Sequence, residues 1–170
     1  IFAKGYAADP KNTDMAMNLA ESYFKMDNYA EGMKICEEVA ALPSPKYDAA
    51  IAAAKAKMGQ YTNNQVAKLQ QANDFDGIIA MSETIGDKAL AQRIAVQAYL
   101  LKKDYAKVIE LGEAAAEAQT TDEDKSAVYY NLASAYNAKE MKDKAIAAFK
   151  KVTTEPYATP AKTAVAELSK

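Results

Sequence analysis

The 170-residue chain contains no histidine, which removes histidine triads, histidine-ligated metals and histidine general bases at once. Cys36 is the single cysteine, so no intrachain disulfide exists and the redox compartment is left open. On a helix, Cys36 lies on the apolar stripe, while Lys34, Glu37 and Glu38 point elsewhere. A buried structural thiol is therefore expected rather than a nucleophile. The six glycines are dispersed and cannot assemble a phosphate-cradling loop. Positive charge is almost all lysine, with Arg93 the only arginine, and the net charge is −2. Nucleic-acid binders concentrate basic residues, because phosphate neutralisation drives their affinity; no nucleic-acid partner is expected here.

Other classes fall for similar reasons. No apolar run approaches the roughly 18 to 20 residues that cross a bilayer, and no segment has the charged start and apolar middle of a secretory signal. A soluble chain without membrane insertion is expected, in a cytoplasmic or periplasmic setting that the sequence does not fix. The chain opens at Ile1-Phe2 without a methionine, and an upstream segment carrying any targeting signal is expected. Asp122, Glu123 and Asp124 form the densest acidic cluster and read as a helix N-terminus. A calcium loop would need alternating oxygen ligands around a glycine. No catalytic residues, cofactor or metal site are expected, and the chain is read as a non-enzyme.

What is present is apolar residues, at 50% of the chain, enough for a continuous core. Alanine and lysine are abundant and glycine and proline scarce, so the chain should be almost entirely helical. Three stretches share one spacing: Leu19-Ala20-x-x-Tyr23, Ala95-Val96-x-x-Tyr99 and Leu132-Ala133-x-x-Tyr136. Each is followed nine residues after its tyrosine by Gly32, Val108 or Ala145. Leu132 and Tyr136 fall on one helical face a turn apart. A turn then follows, at Met26-Asp27-Asn28-Tyr29, Lys103-Asp104-Tyr105 and Lys139-Glu140-Met141. A second helix carries small residues where the two backbones approach, continuing through Cys36, Gly112 or Phe149 to Val39, Ala115 or Val152.

This pattern resembles the tetratricopeptide repeat family, most closely at Tyr129-x-x-Leu132-Ala133-x-x-Tyr136 and Ala145-x-x-x-Phe149-x-x-Val152, with Pro156 at the end. The implied fold is all-α, a right-handed superhelix of antiparallel helix pairs with a C-terminal capping helix. One domain over 1–170 is expected, as the C-terminal part of a longer chain: 1–10 ends a truncated repeat, 13–44, 59–86, 89–120 and 126–157 are repeat units, and 160–170 is the cap. Residues 45–58 form an extra helix on this reading. Alternatively, Pro45 begins a unit in step with Thr13, and the segment from Phe75 is the odd one. On both readings the helical phase breaks between Gly59 and Gly86. Ala16 and Gln92 stand where the family has a bulky residue, and Cys36 and Gly112 where it has a large aromatic, so a thin core is expected in those two units. N-caps are read at Ser44-Pro45, Asp87, Thr121 and Thr159-Pro160.

In this family the first helix of each unit lines a concave wall that meets the ligand. Carried over, the resemblance implies Asp14, Met17, Glu21 and Phe24 in the first matched unit, and Leu90, Arg93, Gln97 and Leu100 in the next. The last unit gives Ala127, Tyr130, Ser134 and Asn137, with Asn131 beside them. Such a wall would hydrogen-bond an extended peptide, and Arg93 can hold a carboxylate at two points. The expected function is a non-enzymatic scaffold that binds a protein or peptide. The alternative is a structural segment that self-associates through Ile1, Phe2 and Tyr6. Arg93, Gln97 and Asn131 loosely resemble part of the clamp by which some family members hold chaperone tails. Ala161 and Val165 leave it incomplete, so chaperone binding is not expected.

Overall fold

The computed structural model describes Lys4, Asp9 and residues 12–170. Ile1, Phe2 and Tyr6, the expected self-association face, lie outside the described residues. Among the described residues the chain forms α1 (Thr13–Lys25), α2 (Tyr29–Ala40), α3 (Asp48–Gln71), α4 (Phe75–Ser82), α5 (Lys88–Leu101), α6 (Tyr105–Glu117), α7 (Asp122–Ala138), α8 (Lys142–Lys150) and α9 (Ala158–Leu168), with no strand. The fold is all-α. The helices group into two compact units, Ile1–Gln71 and Ala72–Lys170.

The motif tyrosines hold the same place in each turn. The α1–α2, α5–α6 and α7–α8 helix pairs are each joined through a residue in the left-handed region: Asp27 (φ 55°), Lys103 (φ 62°) and Glu140 (φ 58°). The next residue's N–H then reaches back to the motif tyrosine's carbonyl, at 2.9 Å in each case: Asn28 to Tyr23, Asp104 to Tyr99 and Met141 to Tyr136. That bond spans five residues and closes a Schellman-type helix end, satisfying a carbonyl that the helix leaves orphaned. The tyrosine thus fixes the turn through its backbone while its half-buried ring flanks the core. Asn73 also sits in the left-handed region (φ 55°). Asp74 and Asp104 cap the helices that follow, accepting from Gly77 N (2.8 Å) and Lys107 N (3.2 Å).

In the first unit, α1, α2 and α3 pack around Ala16, Leu19, Ala20, Phe24, Met33, Ile35, Cys36 and Val39. An extra helix at 45–58 followed by a repeat from Gly59 is not what forms. One helix runs from Asp48 to Gln71. Ala54, Met58, Thr62 and Val66, every fourth residue, are buried along it, so packing stays in phase straight through Gly59. A mid-helix glycine costs only about 1 kcal/mol against that. No atom lies within 4 Å of the place where a Gly59 Cβ would sit. Gly59→Ala is therefore expected to stabilise the chain by about 0.5–1 kcal/mol, read as a higher urea midpoint. Ser44-Pro45 does not open this helix either: the Ser44 hydroxyl donates instead to Asp48 Oδ1 at 2.6 Å, at the true start.

In the second unit, α5 to α9 enclose a core of Val96, Val108, Ala115, Val128, Tyr129, Leu132, Ala133, Ala145, Phe149 and Val152. Asp87 and Thr121 cap α5 and α7 as read from sequence, accepting from Leu90 N and Asp124 N at 3.1 Å each. Helix α9 starts earlier than Thr159-Pro160 implies, at Ala158, because Glu155 takes over the cap. Its carboxylate accepts from the Thr159 hydroxyl (2.6 Å) and backbone N–H (3.3 Å). Val165 and Leu168 pack on the core, while Lys162, Glu167 and Lys170 are exposed.

The expected thin place at Gly112 is filled from a neighbouring helix, and the small crossing residue Gly32 is covered in the same way. A Cβ on Gly112 would lie 2.8 Å from Leu132 Cδ1 and 3.2 Å from its Cβ and Cγ, so Leu132 on α7 occupies the aromatic's space. In the first unit Phe24 fills the notch at Gly32, where a Cβ would come within 2.6 Å of the ring. Phe24 is itself stacked on Tyr61 of α3 at 3.9 Å.

Candidate functional site

In the second unit α5 and α7 present their exposed sides together, with the approach to α9 beside them. Arg93, Gln97, Leu100, Ala127, Tyr130 and Asn131, all named from sequence, converge on one cleft of about 220 Å³. Leu101 and Tyr157 complete it. Nothing in the repeat spacing pointed to Tyr157, which lies between repeat and cap. Its proximity to Pro156 at the unit's end was the only signal.

The cleft has an aromatic side and a polar side. Tyr130 stands 5.5 Å from Tyr157 and edge-on to Phe149 at 5.6 Å, contacts that hold its ring in one place. Opposite chemistry comes from the Gln97 and Asn131 amides, each able to donate and accept, and from the Arg93 guanidinium. Arg93 Nε lies 3.2 Å from Asp124 Oδ1, yet it makes no hydrogen bond and its Nε atom is buried. The two observations agree if the pair is purely Coulombic, with the N–H not aimed at the oxygen.

The remaining sequence-named positions are placed elsewhere. Leu90 is half-buried on α5 and Asn137 exposed on α7; neither lines the cleft. Ser134 spends its hydroxyl on the Tyr130 carbonyl, at 2.8 Å. Asp14, Met17 and Glu21 belong to the first unit. Asp14 and Met17 border a separate cleft with Lys46, Tyr47 and an alanine floor. Glu21 is held by Lys57 (2.9 Å) and Lys25 (3.0 Å). The hydrogen bond from Lys57, aided by that from Lys25, holds its carboxyl down at about 2. Phe24 is core.

Behind the cleft, the outer side of the same helices is braced by ionic contacts. Tyr129 donates a short hydrogen bond to Glu117, and Lys151 reaches both Glu113 (2.6 Å) and the Tyr129 hydroxyl (3.3 Å). Burial, reinforced by the bond to Glu117, raises the Tyr129 phenol above its ordinary value. The Ser126 hydroxyl, buried, accepts from the backbone N–H groups of Thr153 (3.0 Å) and Thr154 (3.2 Å) and pins the end of α8 to α7.

Residues 126–155, which span most of α7, its turn and all of α8, match the tetratricopeptide repeat. That match covers one repeat and supports a tetratricopeptide-like repeat protein. No curated protein is significantly similar to it. Tetratricopeptide repeats generally serve protein interaction rather than catalysis, and the protein is read at that level as an interaction scaffold. No helix among the described residues is long and apolar enough to cross a membrane. Among the same residues no three His, Cys, Asp or Glu side chains gather as a metal would require. Cys36 is fully buried, and burial pushes its thiol up to about 11. Ellman's reagent is accordingly expected to leave Cys36 of the tetratricopeptide-like protein unmodified at pH 8 for as long as it stays folded, and to react fully in 6 M guanidinium.

Proposed function

We propose that the protein is a non-enzymatic scaffold and that the cleft between α5 and α7 docks an extended segment of a partner protein. The observation that carries this reading is convergence. Six wall positions taken from two different repeats meet in one concavity, and their side chains pair a rigid aromatic face with hydrogen-bonding amides and one cation. A peptide backbone needs paired donors and acceptors, and its side chains need apolar contact. Gln97 and Asn131 supply the first; Tyr130, Tyr157 and Leu100 supply the second. The opening is about the size of one or two side chains, so affinity from this cleft alone is modest and the partner would use it as an anchor point.

The test is site-specific photo-crosslinking in cells of the source organism. A benzoylphenylalanine at position 131 is expected to trap a partner band, and the same group at exposed Glu110 on α6 is not. Gln97→Ala with Asn131→Ala is the loss-of-function partner, because neither side chain carries core packing and melting should be unchanged. Tyr130 is unsuitable for this purpose, since its contacts with Phe149 and Tyr157 make its removal a stability change as well. A band of equal strength from both positions, or full capture by the double variant, would overturn the reading.

A further inference from the structure

The charge inside the cleft specifies the partner segment further, on the assumption that the cleft is the docking site. Among the described residues Arg93 is the only cation lining it, and its side chain is mostly buried, 22% exposed. Its single ionic contact, Asp124, is badly aligned, leaving the buried Nε without a hydrogen bond. Asp124 is also engaged elsewhere: its Oδ2 accepts from the Thr121 hydroxyl at 3.0 Å, and its backbone N–H donates to the Thr121 hydroxyl oxygen at 3.1 Å. Tied to the first turn of α7 in this way, Asp124 neutralises Arg93 without satisfying it. The terminal guanidinium nitrogens, unlike Nε, are not sealed, so a carboxylate arriving from the cleft can take charge-assisted hydrogen bonds from them.

We propose that the cleft selects a segment carrying an internal glutamate or aspartate, and that Asp124 is a built-in competitor which sets how strongly that acid is held. An internal side chain fits better than a chain terminus. One cation lines the cleft, and Gln97 and Asn131 offer donors and acceptors to a backbone that continues past it. Asp124 then acts as a threshold: a segment docks only if its acid displaces the internal carboxylate from Arg93. The partner's apolar residues beside the acid would meet Tyr130, Tyr157 and Leu100.

The experiment titrates the whole chain with blocked pentapeptides, acetyl-Ala-Leu-Glu-Leu-Ala-amide against its glutamine counterpart, following the backbone NMR signals of Tyr130, Asn131 and Tyr157. A third peptide has the glutamine sequence with a free C-terminus. The glutamate peptide is expected to bind about threefold tighter than the glutamine one, the scale of a partly exposed ion pair. Asp124→Asn should widen that preference to about tenfold, and Arg93→Gln should abolish it. Raising the salt should shrink it. Thr121→Ala removes the cap and also unties the Asp124 carboxylate, which can then align with Arg93, so melting falls and the acid preference narrows. Equal binding of the glutamate and glutamine peptides, no change in Asp124→Asn, or a preference for the free C-terminus each overturns the proposal while leaving the docking site intact. If no peptide moves the three signals and no cross-link forms at position 131, the docking site itself is overturned.

Discussion

Gly112→Phe is expected to lower stability by about 3 kcal/mol, the upper range for overpacking, although a large aromatic is the residue type the repeat pattern asks for at this point. The pattern assumes a vacancy that does not exist. Leu132 is fully buried and already lies against the Gly112 backbone, so that even one methyl group would meet it at 2.8–3.2 Å. Glycine's helix-propensity deficit, about 1 kcal/mol, is small beside that overlap. Removing the occupant should relieve the clash. Leu132→Ala alone is expected to cost about 3 kcal/mol through the cavity it opens, whereas Gly112→Phe/Leu132→Ala should cost clearly less than the two added together. Such a negative coupling between touching sites is read from a double-mutant cycle in urea. Additive losses would mean that Leu132 and Gly112 do not share the space.

The same pair shows where sequence reasoning stops. The Leu-Ala-x-x-Tyr spacing was sufficient for the helix pairs and their turns because those depend on contacts a few residues apart: the tyrosine carbonyl, the left-handed turn residue and the cap all lie within one hairpin. What fills a notch depends on the next helix, which a single repeat does not specify. Leu132 filling Gly112 and Tyr61 covering Phe24 are both of this kind. The continuous α3 helix is a third instance. Gly59 and the change of phase suggested a boundary, while the every-fourth-residue burial of Ala54, Met58, Thr62 and Val66 carried the helix through. At the candidate site, Arg93, Gln97, Tyr130 and Asn131 could be named from helix positions because two adjacent repeats present the same face. Glu21 and Ser134 occupy equivalent positions, yet their hydrogen bonds are taken by Lys57 and by a main-chain carbonyl. Position alone does not reveal a partner already in place.

Phe24 is the sharpest instance, and its removal should have the largest single effect. By repeat position it belongs to the ligand-facing wall, so Phe24→Ala would be thermally silent if that role held. The structure instead leaves it 7% exposed, stacked on Tyr61 with rings 14° apart and tilted against Tyr29 at 6.1 Å. Its edge also closes the notch at Gly32. Truncation loses the transfer energy of the ring and leaves a cavity bounded by two helices, which together cost about 3–5 kcal/mol. The difference from the second unit has a local cause: α3 lies across α1, and Tyr61 and Lys57 cover the face that Phe24 and Glu21 share. Position 24 is therefore sealed, whereas Leu100 at the corresponding place on α5 borders the open cleft. Phe24→Ala should lower the urea midpoint sharply and deprotect the amides of α1 and α3 to hydrogen exchange, while cross-linking from position 131 persists wherever the second unit stays folded. A Phe24→Ala protein with unchanged melting and lost partner capture would return Phe24 to the wall and remove the basis for placing the site in the second unit alone.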